Sequence, residues 1–121
     1  MIRIKRVYEA PDAADGDRFL VDRLWPRGIR KSALAINAWL KEAAPSNELR
    51  HWYHHDPTRW DEFRRRYFDE LRQNTEAWRP LVEAARRGTV TLVYSAQQIE
   101  RNNAAALMEF LTEQLGDRHG R

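Results

Sequence analysis

The segment from Thr89 to Tyr94, Thr-Val-Thr-Leu-Val-Tyr, most constrains the fold of this chain. It is short, uncharged and rich in β-branched residues, which is typical of a strand buried inside a sheet. Two further strand-like stretches lie nearer the amino terminus. Residues 2–8 alternate apolar and basic side chains, and residues 18–24 hold a continuous apolar group bounded by turn signals. The sequence therefore predicts two short strands near the amino terminus and a third at residues 89–94.

Helical segments are predicted between and after these strands. Ser46 is a candidate N-cap, and Asp56 followed by Pro57 is a typical helix start. Apolar residues at intervals of three and four then form one stripe from Trp60 to Leu71. Pro80 moves the predicted start of the following helix toward Arg79, because proline disfavours a helix interior. The predicted helical segments cover residues 33–44, 46–54, 57–71, 74–87 and 99–115. An extended chain over part of residues 33–44 is the alternative for the first of them.

Strands separated by helical stretches predict an α/β layered domain with a short, mostly parallel sheet flanked by helices. An all-α bundle with a small hairpin is the alternative, since the helical segments dominate by length. A chain of 121 residues has room for one modest core. We therefore expect a single domain over residues 1–115 and a polar carboxyl-terminal tail over residues 116–121.

Cysteine is absent, which excludes disulfides, thiolate nucleophiles and cysteine-ligated zinc. The amino-terminal residues Met-Ile-Arg-Ile-Lys-Arg carry charge at once, unlike a secretory signal. The longest apolar run is about six residues, too short to span a bilayer. We expect a cytoplasmic protein without a membrane partner.

The net charge is +3, and the basic residues are spread through the chain. The longest basic run is Arg64-Arg65-Arg66, and Asp61, Glu62, Asp69 and Glu70 flank it at helical spacing. This pattern favours a solvated helix face with salt bridges. A nucleic-acid-binding module that uses these arginines and the amino-terminal basic residues is the alternative interpretation.

Polar side chains follow the predicted strand at residues 18–24, where the chain turns at Trp25-Pro26. Asp22 and Arg23 stand at the strand end, and Arg27 and Lys31 follow the turn. Arginine suits two-pronged recognition of phosphate or carboxylate. These residues are candidate anion ligands, although Asp22 and Arg23 could equally form a structural ion pair.

A second polar group follows the strand at residues 89–94. Ser95 comes directly after the strand, and Asn102 and Asn103 lie in the first turns of the predicted last helix. Ligands of parallel sheets bind beyond the carboxyl ends of the strands, and helix amino termini attract anions. We expect both polar groups to converge on one crevice, although Ser95 and the asparagines could instead cap the helix.

Metal and cofactor chemistry find little support in the sequence. His51 and His55 stand four residues apart near Asp56, but Asp56 is already explained as a cap, and no carboxylate follows at a zinc-enzyme spacing. Glycine-rich nucleotide loops and a nucleophile elbow are both absent. We expect no metal and no cofactor, and the sequence does not identify a reaction.

The string Leu20-Val21-Asp22-Arg23-Leu24-Trp25-Pro26-Arg27-Gly28 resembles the YeaO-like branch of a bacterial domain-of-unknown-function family. Further matches follow in order along nearly the whole chain. They are Ala44-Pro45-Ser46, Leu49-Arg50, His55-Asp56-Pro57, Phe63, Tyr67, Glu70-Leu71 and Asn102-Asn103-Ala104. The resemblance implies a small Rossmann-like α/β domain in the cytoplasm, and it implies no established activity.

The broader superfamily carries a loop with cysteine and Cys-His-Arg after its last strand, where this chain has Ser95-Ala96-Gln97-Gln98. Thiol or histidine chemistry therefore does not transfer to this chain. The resemblance of Asp22 and its following arginine to an Asp-Val-Arg strand end in those relatives strengthens the choice of this strand end.

Our leading hypothesis is a protein that binds a phosphate- or nucleotide-like anion at the corner from Asp22 to Arg27. Arg23 and Arg27 would contact the anion, with Lys31 nearby, and Asp22 would orient Arg23 or act as a base. The remaining candidate ligands are Ser95, Asn102 and Asn103. The alternatives are a nucleic-acid-binding module and a structural or partner-binding domain without a small-molecule site.

Overall fold

Four parallel strands form a sheet in this computed structural model, which describes residues 1–119 with side chains to residue 116. The strand order is β1-β4-β2-β3, so β4 lies inside the sheet, as its apolar composition predicts. Ile2 pairs with Val90, and Phe19 pairs with Leu92. The strands are β1 (Ile2–Arg6), β2 (Asp17–Leu20), β3 (Ala38–Trp39) and β4 (Val90–Tyr94).

The helices of the described chain are α1 (Asn47–Tyr53), α2 (Trp60–Gln73), α3 (Thr75–Arg87) and α4 (Asn103–His119). Together with the parallel sheet they confirm the small α/β layered domain and exclude the all-α bundle. None of the helices within residues 1–119 is long and apolar enough to cross a membrane.

The main core lies between one face of the sheet and the helices. Leu92 and Val90 of the central strand belong to it, together with Tyr67 of α2, Leu81 of α3 and Phe110 of α4. All five are at most 1% exposed. The amphipathic stripe predicted for residues 60–71 packs into this core, which explains the position of α2 against the sheet.

A loop covers the other face of the sheet. Leu20 and Val93 are fully buried there, and Trp25, Leu34 and Trp39 pack against them. The helix predicted over residues 33–44 is wrong for this reason. Leu34 and Ile36 contact the sheet at a spacing of two, which suits an extended chain, and the Leu40 N–H donates to the Leu20 carbonyl at 2.8 Å.

The predicted helix starts are largely found. The Ser46 hydroxyl accepts a hydrogen bond from the Leu49 N–H at 3.1 Å and caps α1. The Asp56 carboxylate accepts from the Thr58 N–H at 3.0 Å and begins a 3-10 turn, Pro57–Arg59, that leads into α2. These contacts provide acceptors for amides that the helix leaves unpaired.

Two helix boundaries differ from the prediction. α3 begins at Thr75 and holds Pro80 on its exposed side within the second turn, so the proline does not delay the start. α4 begins at Asn103 rather than Ile99, because the Asn102 side chain caps it there. The predicted tail at residues 116–121 overlaps α4 as far as His119, and its last two residues lie outside the described part.

A buried carboxylate joins the first two strands. Asp15 is fully buried, accepts hydrogen bonds from the Lys5 ammonium at 3.0 and 3.1 Å, and pairs with Arg18. Burial acts to raise the pKa of Asp15, but the hydrogen bonds from Lys5, the Asp12 N–H and Arg18 outweigh it and lower that pKa. This cluster fixes β1 beside the loop that leads into β2.

Candidate functional site

A cavity of about 510 Å³ lies at the carboxyl edge of the sheet. β1, β2 and β4 are parallel, so the segments that follow them meet at this edge. They contribute Tyr8, the stretch 22–27 and residues 95–96, while α1 with its following histidines and the start of α4 complete the wall. The two polar strand ends predicted from the sequence therefore converge.

Asp22 links these strand ends on the cavity floor. One of its carboxylate oxygens accepts hydrogen bonds from the Ser95 N–H at 3.0 Å and from the Ser95 hydroxyl at 2.7 Å. The other accepts from the Asn103 Nδ2 at 3.1 Å, and the same amide donates to the Val21 carbonyl at 3.0 Å. Both oxygens of Asp22 are thus engaged by groups that belong to the protein.

The pKa of Asp22 lies above its ordinary value. Burial is the main cause, and hydrogen bonds from Ser95 and Asn103 and the charge of Arg50 only partly offset it. A raised pKa would suit a general base, but the oxygens of Asp22 already accept three hydrogen bonds. The arrangement favours a role in which Asp22 holds Ser95 and Asn103 in place over a role as a base.

Arg23 lines the cavity, but its guanidinium turns toward the segment before α1. Its Nη1 donates to the Glu42 carboxylate at 3.2 Å, its Nη2 to the Ala44 carbonyl at 3.1 Å and its Nε to the Pro45 carbonyl at 3.4 Å. These bonds occupy the Arg23 guanidinium within the protein, and its contact with an anion stays a prediction. Arg23 fixes the chain segment that leads into α1.

Arg27 and Lys31 have different surroundings, although they are only four positions apart. Arg27 is exposed on the cavity wall, and its side chain has no hydrogen-bond or ion-pair partner among the described residues. Lys31 lies at the Trp25 corner but is not among the residues that line the cavity, so its role as an anion ligand stays a prediction. Its ammonium lies 5.9 Å from the ring centre of Trp25 and 5.8 Å from that of Trp39, a cation–π arrangement on the covering loop.

The two asparagines have separate tasks. Asn102 is 3% exposed, accepts from the Ala105 N–H at 2.8 Å and donates to the Gln98 carbonyl at 2.8 Å. It is a helix cap, the structural alternative considered for this position. Asn103 instead belongs to the Asp22 cluster, so both asparagine amides donate to groups of the protein.

Two arginines and three histidines of the cavity were missing from the sequence-based set. Arg50 on α1 lies close enough to Asp22 to lower its pKa, and Arg101 precedes α4 on the wall without a hydrogen-bond partner among the described side chains. His51, His54 and His55 also line it. In the sequence these histidines indicated only a metal site or a helix end, because nothing local shows which way α1 faces.

His54 and His55 have an unusual backbone conformation. His54 has a φ of 45° and His55 a φ of 56°, both in the left-handed region that side chains other than glycine rarely adopt. Such strained positions are frequent at functional sites. Within residues 1–116, no group of three or more His, Asp and Glu side chains is placed to hold a metal ion.

An aromatic wall stands beside these cationic groups. Tyr53 and Phe63 have ring centres 4.5 Å apart, and both line the cavity. Trp60 packs behind them, 5.6 Å from Phe63. The cavity can therefore contact an apolar or planar group as well as an anion.

Comparison with known proteins agrees with the resemblance. A family model described as the inactive DUF488-N3 subclade matches residues 1–121. An uncharacterised protein of Mycobacterium tuberculosis is 46% identical over 110 residues, which cover 91% of this chain and 92% of the relative. The uncharacterised protein YeaO of Escherichia coli is 43% identical over 110 residues, 91% of this chain and 96% of YeaO. No solved structure gives a significant match. The chain therefore belongs to the DUF488 family, within its inactive N3 subclade.

Proposed function

We propose that this protein is a non-catalytic binding protein whose ligand is an anion, phosphate- or carboxylate-bearing, taken up at the carboxyl edge of the sheet. The charge of the cavity carries the proposal. Four arginines line it, and Asp22 is the one carboxylate among the described lining residues. Arg23 pairs with Glu42, and the three remaining guanidiniums outnumber the single Asp22 carboxylate, so the charge that faces a ligand is positive.

Arg27 and Arg101 are the expected anion contacts. Both guanidiniums are exposed on the wall, free of partners among the described residues, and suited to two-pronged binding of an oxyanion. Arg50 also lines the cavity, although its Nη1 donates to the Asn47 Oδ1 at 2.9 Å. The aromatic wall and a volume of about 510 Å³ suit a ligand of mononucleotide size.

The family and the floor of the cavity both support binding over turnover. The family model describes an inactive subclade. The Ser95 hydroxyl donates to Asp22 at 2.7 Å, and Asn103 holds the other oxygen, so the polar groups of the floor are engaged with one another. A cytoplasmic location is part of this proposal and is supported by the absence of cysteine.

The nucleic-acid alternative uses Arg64, Arg65 and Arg66 together with the amino-terminal basic residues. The structure pairs the three arginines of α2 with acids. Arg64 pairs with Glu109, Arg65 with Glu62 at 2.6 Å and Arg66 with Glu62 at 2.7 Å. Hydrogen bonds from both of the latter arginines lower the pKa of Glu62 to about 2. A phosphate backbone would have to displace these carboxylates, so this surface is less favourable for nucleic acid than the free arginines of the cavity.

Thermal unfolding with added ligand tests the proposal. Inorganic phosphate, adenosine monophosphate and a short single-stranded oligonucleotide would be compared on the wild type, Arg27→Ala and Arg101→Ala. Arg87→Ala is the matched control, since Arg87 is exposed at the end of α3 and the charge change is the same. A ligand at a hundred times its Kd raises the free energy of unfolding by about 2.7 kcal/mol.

We expect a small anion to raise the Tm of the wild type and of Arg87→Ala, with a smaller shift in both cavity variants. Without ligand, neither cavity variant should lose stability, because neither side chain has a partner to lose. Equal shifts in all four proteins would contradict binding at these arginines. A response to the oligonucleotide alone, lost on replacing Arg64 to Arg66, would support the nucleic-acid alternative.

A further inference from the structure

Large apolar side chains are exposed around the mouth of the cavity. Four large hydrophobic residues of the described chain are exposed, and Met1 is the only one at the amino end of a strand. Tyr8, Leu24 and Ile99, at 51%, 59% and 64% exposure, follow β1, β2 and β4 respectively. Tyr8 and Leu24 line the cavity, and Ile99 lies in the segment that also carries Arg101 to its wall. Apolar exposure thus gathers at one edge, as it does at interaction sites.

The unpaired arginines of the site are exposed, whereas its less exposed polar groups bond to the protein. Asp22, Ser95 and Asn103 bond to one another, and Arg23 donates through three of its nitrogens to protein oxygens. In contrast, the side chains of Arg27 and Arg101 are exposed and unpaired among the described residues. The capacity for new contacts therefore lies on the outer surface of the site.

We propose that this surface, made of Tyr8, Leu24, Arg27, Ile99 and Arg101 and here called the rim, binds a partner protein through a segment that carries both carboxylates and apolar side chains. The inference rests on the proposed function, because the same two arginines are its anion contacts. The carboxylates of the segment pair with Arg27 and Arg101, and its apolar side chains cover Leu24 and Ile99. Tyr8 is fixed for this contact, since its hydroxyl donates to the Arg27 carbonyl at 3.1 Å.

Charge and side-chain type favour a protein segment over nucleic acid. Leu24 and Ile99 are aliphatic, and they match apolar side chains better than they match bases, which proteins bind by stacking on aromatic rings. Two unpaired arginines are also fewer than the phosphate contacts, on the order of six to ten, that a typical nucleic-acid interface uses. An acidic and apolar protein segment satisfies both features of the rim.

Fluorescence anisotropy with short labelled peptides tests this inference. The first peptide combines Asp and Glu with Leu and Phe. The second has the same net charge with Ser and Gly in place of the apolar residues, and a labelled single-stranded oligonucleotide serves as the third probe. The proteins are the wild type, Leu24→Ser with Ile99→Ser, Arg27→Ala with Arg101→Ala, and Arg87→Ala as the control. All replaced side chains are exposed, so each variant should fold.

We expect the acidic, apolar peptide to bind the wild type at least about tenfold more tightly than the acidic, polar peptide, a difference of about 1.4 kcal/mol. The Leu24 and Ile99 variant should lose that preference, and the Arg27 and Arg101 variant should lose binding of both peptides. Arg87→Ala should match the wild type.

Other outcomes separate this inference from the proposed function. If phosphate or the nucleotide binds through Arg27 and Arg101 but the apolar peptide shows no preference, the inference is overturned and the proposed function stands. Tighter binding of the oligonucleotide through the same residues would also overturn the inference. If neither a small anion nor either peptide binds, or if loss of both arginines changes nothing, both proposals fail.

Discussion

The Asp22 carboxylate and the Ser95 hydroxyl lie 2.7 Å apart, although 73 positions separate them in the sequence. One residue follows the end of β2 and the other follows the end of β4, so this hydrogen bond joins two neighbouring strands where the sheet stops. Asn103 extends the link to the first turn of α4. The site is therefore fixed by side chains from three elements that meet only in the folded chain.

Removing the Asp22 carboxylate should destabilise the fold. In Asp22→Ala, the Ser95 N–H, the Ser95 hydroxyl and the Asn103 amide lose an acceptor. Since partly buried donors without partners are costly, we expect the free energy of unfolding to fall by about 2–3 kcal/mol, measured by urea denaturation. Asp61→Ala is the control, because that side chain is 96% exposed. Equal stability of the two variants would show that the Asp22 contacts contribute little.

Asp22 should also give stability a characteristic pH dependence. Burial raises its pKa in the folded protein above the ordinary value of 3.8, so the folded state binds this proton more tightly than the unfolded state. Acidification through the folded pKa toward 3.8 therefore adds stability from Asp22. We expect the wild type to gain stability relative to Asp22→Asn as the pH falls from neutral toward 3.8, measured by urea denaturation at each pH.

The contribution of Asp15 to stability changes with pH in the opposite direction and over a different pH range. Its folded pKa is lowered, so its contribution is complete above 3.8 and is lost as the pH falls through the lower folded value. Both proteins in the comparison retain Asp15, which cancels in the difference between them. A difference that stays flat between neutral pH and 3.8 would contradict the raised pKa of Asp22.

The buried Asp15 cluster should contribute more to the free energy of unfolding than the exposed ion pairs of α2. Asp15→Ala leaves Lys5 and the buried Arg18 without their carboxylate, and Arg18 already has one nitrogen, Nη2, without a partner. We expect a loss of about 3–5 kcal/mol in the free energy of unfolding. Glu62→Ala removes two exposed pairs with Arg65 and Arg66 and should change stability little. Chemical denaturation measures both variants, and a loss of stability in Glu62→Ala as large as that in Asp15→Ala would contradict this prediction.

Two histidines only four residues apart should respond in opposite ways to glycine. His55 has a φ of 56°, where glycine relieves backbone strain, so His55→Gly should raise the free energy of unfolding by up to about 1 kcal/mol. His51 lies inside α1, where glycine should lower it by about 1 kcal/mol. Thermal unfolding measures both, and a shift in the same direction for both would argue against strain at His55.

Much of the fold could be predicted because its signals are local. The β-branched run before Tyr94 marks the central strand, and Ser46 and Asp56 mark the helix starts that the structure confirms. The loop over residues 23–40 could not be predicted in the same way. Its shape depends on Leu34 and Trp39 contacting Leu20 and Val93, which lie far away in the sequence.

The position of the candidate site could be predicted from the sequence, but the role of each residue in it could not. Parallel strand ends meet at one edge of a sheet, so Asp22 and Ser95 could be brought together by reasoning alone. The direction of the Arg23 guanidinium depends on carbonyls at Ala44 and Pro45, and the presence of Arg50 depends on how α1 packs. Neither fact has a local signature in the sequence.

The strand order β1-β4-β2-β3 has a consequence for biosynthesis. The strand between the first two is the last to leave the ribosome, because Val90 to Tyr94 follow them by roughly 70 residues or more. A nascent chain that ends before Val90 has nothing to insert between its first two strands. The two amino-terminal strands must therefore wait, unpaired with their final neighbour, until β4 has been synthesised, and aggregation or chaperone capture competes with folding during that interval.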